Sequence, residues 1–213
     1  MSHVADKPAK LDYIAAAAVP TAALAAWQAL FDTAGLSAGQ QVFINGAAGG
    51  VGSFAVQFAK WKGAVVVGTA SAEHADFVRD LGADQVVDYH AGRVEDAAQD
   101  MDVVLDAVGG DTLDHLWALL KPGGILVTLI APIPDDAPTL HGVRAVRIIT
   151  RPDGTELAQI AALIDAGVVH PVVTKVLPLA DARRAHELSE THHTAGKIVL
   201  RIAPDPEEAR RAA

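Results

Sequence analysis

The chain has no cysteine among its 213 residues, which excludes disulfides, a thiolate nucleophile and every cysteine-liganded zinc site. Basic residues are scarce: 17 Lys and Arg stand against 26 Asp and Glu, a net charge of −9 with histidine neutral. No basic cluster is longer than the pairs Arg183-Arg184 and Arg210-Arg211, so neither nucleic acid nor an anionic membrane is an expected partner. Long hydrophobic runs are missing as well. Stretches such as Ile14 to Val19 fall well short of a membrane span. The segment from Met1 to Lys10 is polar and lacks the apolar core of a signal peptide, so a cytoplasmic protein is the expectation. What remains is 51% hydrophobic and 20% charged, the composition of a folded soluble protein that buries its core without staples.

Short apolar runs alternate with helical stretches. A helix is expected over 21–34, with Leu24, Trp27, Leu30 and Phe31 on one face and Gly35 as its stop. Six strands are expected at 41–45, 64–69, 85–88, 102–107, 125–130 and 143–149. Between them lie helices at 51–62 and 73–81, and one capped by Asp111 that ends before Lys121. Strands apolar on both faces and in βα order predict an α/β protein, a Rossmann-type doubly wound six-stranded parallel sheet. After Thr150 the pattern changes to a C-terminal helix–strand appendix: helix 156–166, strand 172–177, helix 180–190, strand 197–202. A frayed tail is expected over 204–213.

The chemistry signal is Asn45-Gly-Ala-Ala-Gly-Gly-Val-Gly-Ser53, between the first sheet strand and its helix. Aligned on the usual dinucleotide pattern, Ala47 takes the first glycine position and Gly49 and Gly52 the second and third. Glycines allow a tight turn and close approach of backbone to pyrophosphate, and the helix N-terminus supplies unpaired N–H groups. A plain turn also produces such a cluster. Its place after an apolar strand and before a helix favours phosphate binding at Ala48, Gly49, Gly50 and Val51.

Gly46-Ala-Ala-Gly-Gly-Val-Gly52, preceded by Ala18-Val-Pro20 and Ala26-Trp-Gln-Ala-Leu30, resembles the zinc-independent quinone oxidoreductases of the medium-chain dehydrogenase/reductase superfamily. Further matches are Leu81-Gly-Ala-Asp84, Asp88-Tyr89, Val104-Leu-Asp-Ala-Val-Gly-Gly110, Leu120-Lys-Pro-Gly-Gly124 and Gly196-Lys-Ile-Val199, in the family's order from about Ala5 to Ile202. The resemblance implies NADP(H), with NAD(H) as the alternative, and hydride transfer to a quinone or a conjugated enone. It also implies that an N-terminal GroES-like catalytic domain lies outside this chain and acts as a partner, in trans if separate. On that reading 1–20 is a linker, 21–150 the cofactor domain and 151–203 a segment belonging with the catalytic domain. The isolated chain is then expected to bind cofactor with little turnover. Family members pair the sixth strand across a two-fold axis, which implies a homodimer through Val143 to Ile149.

Ser71 follows the second strand, where NAD-binding folds place an acidic residue for the ribose 2′-hydroxyl; a serine suits a 2′-phosphate better. Relatives that use NADPH carry Arg or Lys in the next positions, whereas this chain has Glu73 and His74. Tyr89 matches a family tyrosine on the adenosine side, or caps the sheet edge. Val108, Gly109, Ile130 and Ala131 follow the fourth and fifth strands, at the carboxyl ends where ligands collect. Thr21 matches a position near the nicotinamide, or serves as a helix cap. Asp106 reads as a structural hydrogen-bond acceptor. Nine histidines show no metal-ligand spacing, and His192-His193, being adjacent, point apart, so no metal is expected. Rival readings are an alcohol dehydrogenase-like enzyme, a non-catalytic NADPH-binding regulatory module and, more distantly, a methyltransferase.

Overall fold

The computed structural model describes residues 3–130, 132–191 and 193–203; Ala131, His192 and the expected tail 204–213 lie outside the described residues. The short helix α1 (Tyr13–Ala17) is capped by the Asp12 carboxylate, which accepts from Ala15 N–H. Helix α2 (Pro20–Trp27) starts on a proline, whose missing N–H costs nothing in a first turn. There follow β1 (Gln41–Asn45), α3 (Gly52–Lys62), β2 (Val65–Ala70), α4 (Ala75–Asp80), β3 (Gln85–Asp88), α5 (Val94–Ala97), β4 (Met101–Asp106), α6 (Leu113–Leu116), β5 (Leu120–Thr128), α7 (Ala137–His141) and β6 (Arg144–Arg147). Beyond the sheet lie α8 (Gly154–Asp165), β7 (Val173–Pro178), α9 (Ala182–Glu190) and β8 (Lys197–Arg201).

β1 to β6 form one parallel sheet in the order β3-β2-β1-β4-β5-β6. The chain runs outward from β1 to β3 and then returns to start again at β4, so its direction reverses between β1 and β4. Side-chain alternation sorts the strands onto two cores. Val42, Ile44, Val66, Val103, Leu105, Ile125 and Val127 pack with α2, α3 and α8. Phe43, Val67, Val104 and Leu126 face Leu113, Leu116 and Trp117 on the other side. β7 and β8 pair in parallel as a separate two-stranded sheet, joined to the larger one by a parallel bridge between Gly49 and Gly196.

Several local expectations are corrected. The 21–34 helix is α-helical only to Trp27 and then widens into one π-helical turn, Gln28–Thr33, with Ala34 N–H reaching Ala29 O. The turn widens at Gln28, whose side chain is held outside its own helix: it donates to Arg151 O and Glu156 Oε2 and accepts from Arg151 N–H. Nor is this helix one-faced; Ala22 to Leu30 are all buried, because α3 and α8 both pack on it. Asp111 caps nothing. The chain enters α6 through a 3₁₀ turn, Gly110–Thr112. Lys121 to Gly124 belong to β5, which begins at Leu120, because Met101 pairs with Leu120 ahead of a register shift. β6 is shorter than expected, spanning Arg144–Arg147.

The closest approach in the fold is between the first turn of α3 and the loop before it. A Cβ on Gly52 would lie 2.1 Å from Gly46 O and 2.7 Å from Ala47 Cα, both backbone atoms. Gly52→Ala is therefore expected to lower stability by about 1–3 kcal/mol, the ordinary cost of overpacking. Urea denaturation of the two proteins side by side measures it.

Candidate functional site

The sheet order brings the residues singled out in the sequence to one edge, at the carboxyl ends of neighbouring strands. Tyr89 follows β3, Ser71 and His74 follow β2, and Ala48 to Val51 follow β1; Val108 and Gly109 follow β4 and Ile130 follows β5. Val108 and Ile130 are half exposed, at 50% and 52%, while Gly109 between them in the sheet order is buried with φ of 71°. Val108 leans on the glycine turn, where a Cβ on Gly46 would stand 2.8 Å from its Cγ2. Tyr89 is no cap over the sheet; it is 45% exposed and its ring tilts against His90. Thr21 is exposed in the first turn of α2 and caps nothing, since the N-cap position is Val19. Its hydroxyl makes no hydrogen bond among the described residues.

The turn itself is pinned at its start and leaves backbone donors free at its end. Gly46 N–H goes to Thr69 Oγ1 and Ala47 N–H to Thr69 O, which pin its first residues to β2, and Gly49 N–H closes on Gly46 O. Among the described residues the N–H groups of Ala48 and Val51 have no acceptor, and they precede the positive end of α3; the parallel bridge between Gly49 and Gly196 turns Gly50 N–H toward Gly196 O. A second element completes it. Gly196 N–H donates to Ala48 O at 2.8 Å, and a Cβ on Gly50 would meet Lys197 Cδ at 2.5 Å and lie 3.4 Å from Lys197 Nζ. The Lys197 ammonium thus stands beside the glycine turn with no carboxylate in ion-pair range among the described residues. The same segment reaches the loop after β2, where His74 Nε2 lies 3.3 Å from His193 O. Gly196 and Lys197 belong to the family-matching run Gly196-Lys-Ile-Val199, but the sequence reading gave them no place in the site.

Beneath the turn a polar network links four strands. Thr69 Oγ1 donates to Asn45 Oδ1 at 3.0 Å, and Asn45 Nδ2 donates to Asp106 Oδ1 at 3.0 Å and Thr112 Oγ1 at 3.1 Å. Asp106, fully buried, also accepts from Val108 N–H, Gly109 N–H and Thr128 Oγ1. The expected role as a structural acceptor fits this placement. Such a network fixes the loops after β1, β4 and β5 relative to one another.

A cavity of about 810 Å³ lies elsewhere, lined by Trp27, Phe31, Arg151 and Glu156 among others, and holds none of the residues above. Arg151 there already bridges Asp32, Asp153 and Glu156 at 2.6 to 2.7 Å. The Glu156 backbone N–H, then the Thr155 N–H and Arg151, hold the Asp153 carboxyl below its ordinary range against the opposing effect of burial. One guanidinium is shared by three carboxylates, and the cluster reads as a clasp between the end of the α2 helical segment and α8.

With this geometry established, known proteins provide the context. The model of the zinc-binding dehydrogenase family matches residues 81–200. The mitochondrial NAD(P)H oxidoreductase RTN4IP1 of Danio rerio is 37% identical over 97% of this chain, and the chain spans 62% of that protein's length. The quinone oxidoreductase of Coxiella burnetii superposes with a TM-score of 0.87 at 34% identity, over 93% of this chain and 63% of that one. The Escherichia coli quinone oxidoreductase, solved with NADPH, gives 0.85 at 28% identity over 92% and 67%. These findings correct the cytoplasmic expectation: the Danio rerio relative and those of Arthroderma benhamiae and Mus musculus are named as mitochondrial. A polar N-terminus was no guide to compartment. The chain belongs to the zinc-binding dehydrogenase family, as the quinone oxidoreductase-like C-terminal part of a medium-chain dehydrogenase/reductase.

Proposed function

We propose that this chain is the cofactor-binding portion of an NADP(H)-dependent oxidoreductase that passes hydride to a quinone or to the β-carbon of an α,β-unsaturated carbonyl compound. The observation that carries the reading is the turn between β1 and α3, where the unpaired backbone N–H groups of Ala48 and Val51 and the Lys197 ammonium converge beside glycines. That donor set suits a pyrophosphate. Ala48, Gly49, Gly50 and Val51 would cradle it and Lys197 would neutralise it. Ser71 and His74, with no carboxylate at the end of β2, would take the ribose 2′-phosphate, and Tyr89 would flank the adenosine. Thr21, Val108, Gly109 and Ile130 would seat the nicotinamide. The bound cofactor supplies the hydride. The apolar side chains of Val108 and Ile130 keep water from one side of it.

A second wall is needed to exclude water from the other side and to hold the acceptor. A catalytic domain, in trans where it is a separate chain, is the partner proposed for that role, with 151–203 as the segment that meets it. The reaction is taken to be zinc-independent. Among the described residues no group of three or more His, Cys, Asp or Glu could hold a metal ion, which is consistent with that reading but leaves the test to measurement. We also propose a homodimer through the region of β6. That strand is the free edge of the sheet, and Ile149 just beyond it is 87% exposed with Val146 also exposed.

Calorimetry with NADPH tests the cofactor site on the full chain. Lys197→Ala is expected to weaken binding about tenfold, the worth of one charge-assisted hydrogen bond. Gly49→Val should weaken it further, and unchanged affinity in both variants would place the site elsewhere. Metal analysis of protein prepared without added zinc is expected to find none in stoichiometric amount; one tightly held zinc per chain would overturn the zinc-independent reading. Light scattering should show a dimer at tens of micromolar (roughly the range of a weak self-association). Val146→Asp combined with Ile149→Asp should return it to a monomer.

A further inference from the structure

Asp106 is a fully buried carboxylate at the end of β4, on the strand next to the glycine turn. Its hydrogen bonds have a direction that two backbone amides settle. Gly46 N–H donates to Thr69 Oγ1, so the Thr69 proton goes to Asn45 Oδ1 and the Asn45 amide nitrogen faces Asp106. Thr112 agrees with this, since its hydroxyl donates to Gly109 O and accepts from the same nitrogen. Ile130 N–H donates to Thr128 Oγ1, and Thr128 Oγ1 donates to Asp106 Oδ2. With Val108 N–H and Gly109 N–H added, Asp106 accepts four hydrogen bonds and donates none, the pattern of an ionised carboxylate. No Lys, Arg or His pairs with it among the described residues.

A buried charge without a counter-ion is costly even when hydrogen-bonded, so its position matters. This one lies a single hydrogen bond from Val108 N–H, and through the Thr128 hydroxyl it is linked to Ile130 N–H. Val108 and Ile130 are the two half-exposed apolar residues proposed above as the nicotinamide seat. We infer that Asp106 is an electrostatic positioning residue that stabilises the oxidised, cationic nicotinamide over the neutral reduced ring, so that the bound cofactor is a stronger hydride donor than the free one. The inference rests on the proposed cofactor site. Hydride transfer carries two electrons and one proton from the reduced ring to the acceptor and leaves the ring with one positive charge. The acceptor gains a negative charge and then takes a proton from water. A fixed negative charge beneath the ring favours the donor side of that change.

The readout is the ratio of NADP⁺ to NADPH dissociation constants, measured by calorimetry on the full chain without any acceptor. The native chain is expected to bind NADP⁺ at least as tightly as NADPH; a tenfold preference for NADPH would overturn the inference even if no variant folds. Asp106→Asn has the same shape and keeps the acceptor toward Asn45, Val108 and Gly109. It should weaken NADP⁺ relative to NADPH about tenfold, roughly 30 mV in the potential of a bound two-electron couple. Thr128→Val keeps the charge while removing the hydroxyl's hydrogen bonds to Asp106 and Ile130 N–H, and should leave the ratio unchanged. Equal weakening of both forms in Asp106→Asn, or the same change of ratio in Thr128→Val, would reduce Asp106 to a purely structural role. Failure of the native chain to bind either form at millimolar concentration would instead remove the cofactor site itself, and the inference with it.

Discussion

The contact between Gly52 and the backbone of Gly46 and Ala47 is the constraint on which the site depends. It brings the first turn of α3 against the loop that leaves β1, closer than any side chain allows. Because the helix starts there, its unpaired N–H groups open toward the carboxyl edge of the sheet at the point where strand order reverses. The rest of the arrangement follows from that approach. Ala48 keeps its carbonyl free to receive Gly196 N–H, the bridge from Gly49 to Gly196 forms, and Lys197 is carried to the face of Gly50. A methyl group at residue 52 would disturb the helix, the loop and the second sheet together.

Two groups of buried or half-buried charge are handled differently in this fold. The three carboxylates around Arg151 share one guanidinium, and the pairing ties the end of the α2 helical segment to α8 at a rim open to water. Asp106 has no such partner and is held by neutral donors alone. Both arrangements satisfy the same rule against unpaired buried polar atoms. They differ in the field they leave behind. The clasp lies at a rim where water screens its excess of carboxylates, whereas the network under the turn leaves a buried negative charge directed at the loops after β4 and β5.

The appendix after β6 is more than an attachment surface. Its strand β8 delivers Lys197 to the turn, and the segment before it touches His74 through the His193 carbonyl. One short stretch of chain therefore spans the carboxyl edge from the glycine turn to the loop after β2.

Much of the fold was legible in the sequence because the signals were local. Runs such as Gln41 to Asn45 are apolar on both faces and suit only a covered strand, and β3 falls where the pattern put it. The glycine spacing of 46 to 52 is a steric property of the loop itself, readable wherever it occurs. Local signals failed where a distant partner intervened. Gln28 widens its helix because Arg151 and Glu156 hold its side chain, Lys121 to Gly124 become strand because Met101 pairs ahead of them, and Thr21 loses its expected cap to Val19. Lys197 beside Gly50 and the convergence of Asn45, Val108, Gly109 and Thr128 on Asp106 had no sequence signature at all. The sequence by itself determined which segments are strands and where the glycine turn must lie, because sterics and hydrophobic period act between near neighbours. Only the tertiary structure decided which charges face that turn, because the order of strands in a sheet sets residues side by side without regard to their distance along the chain.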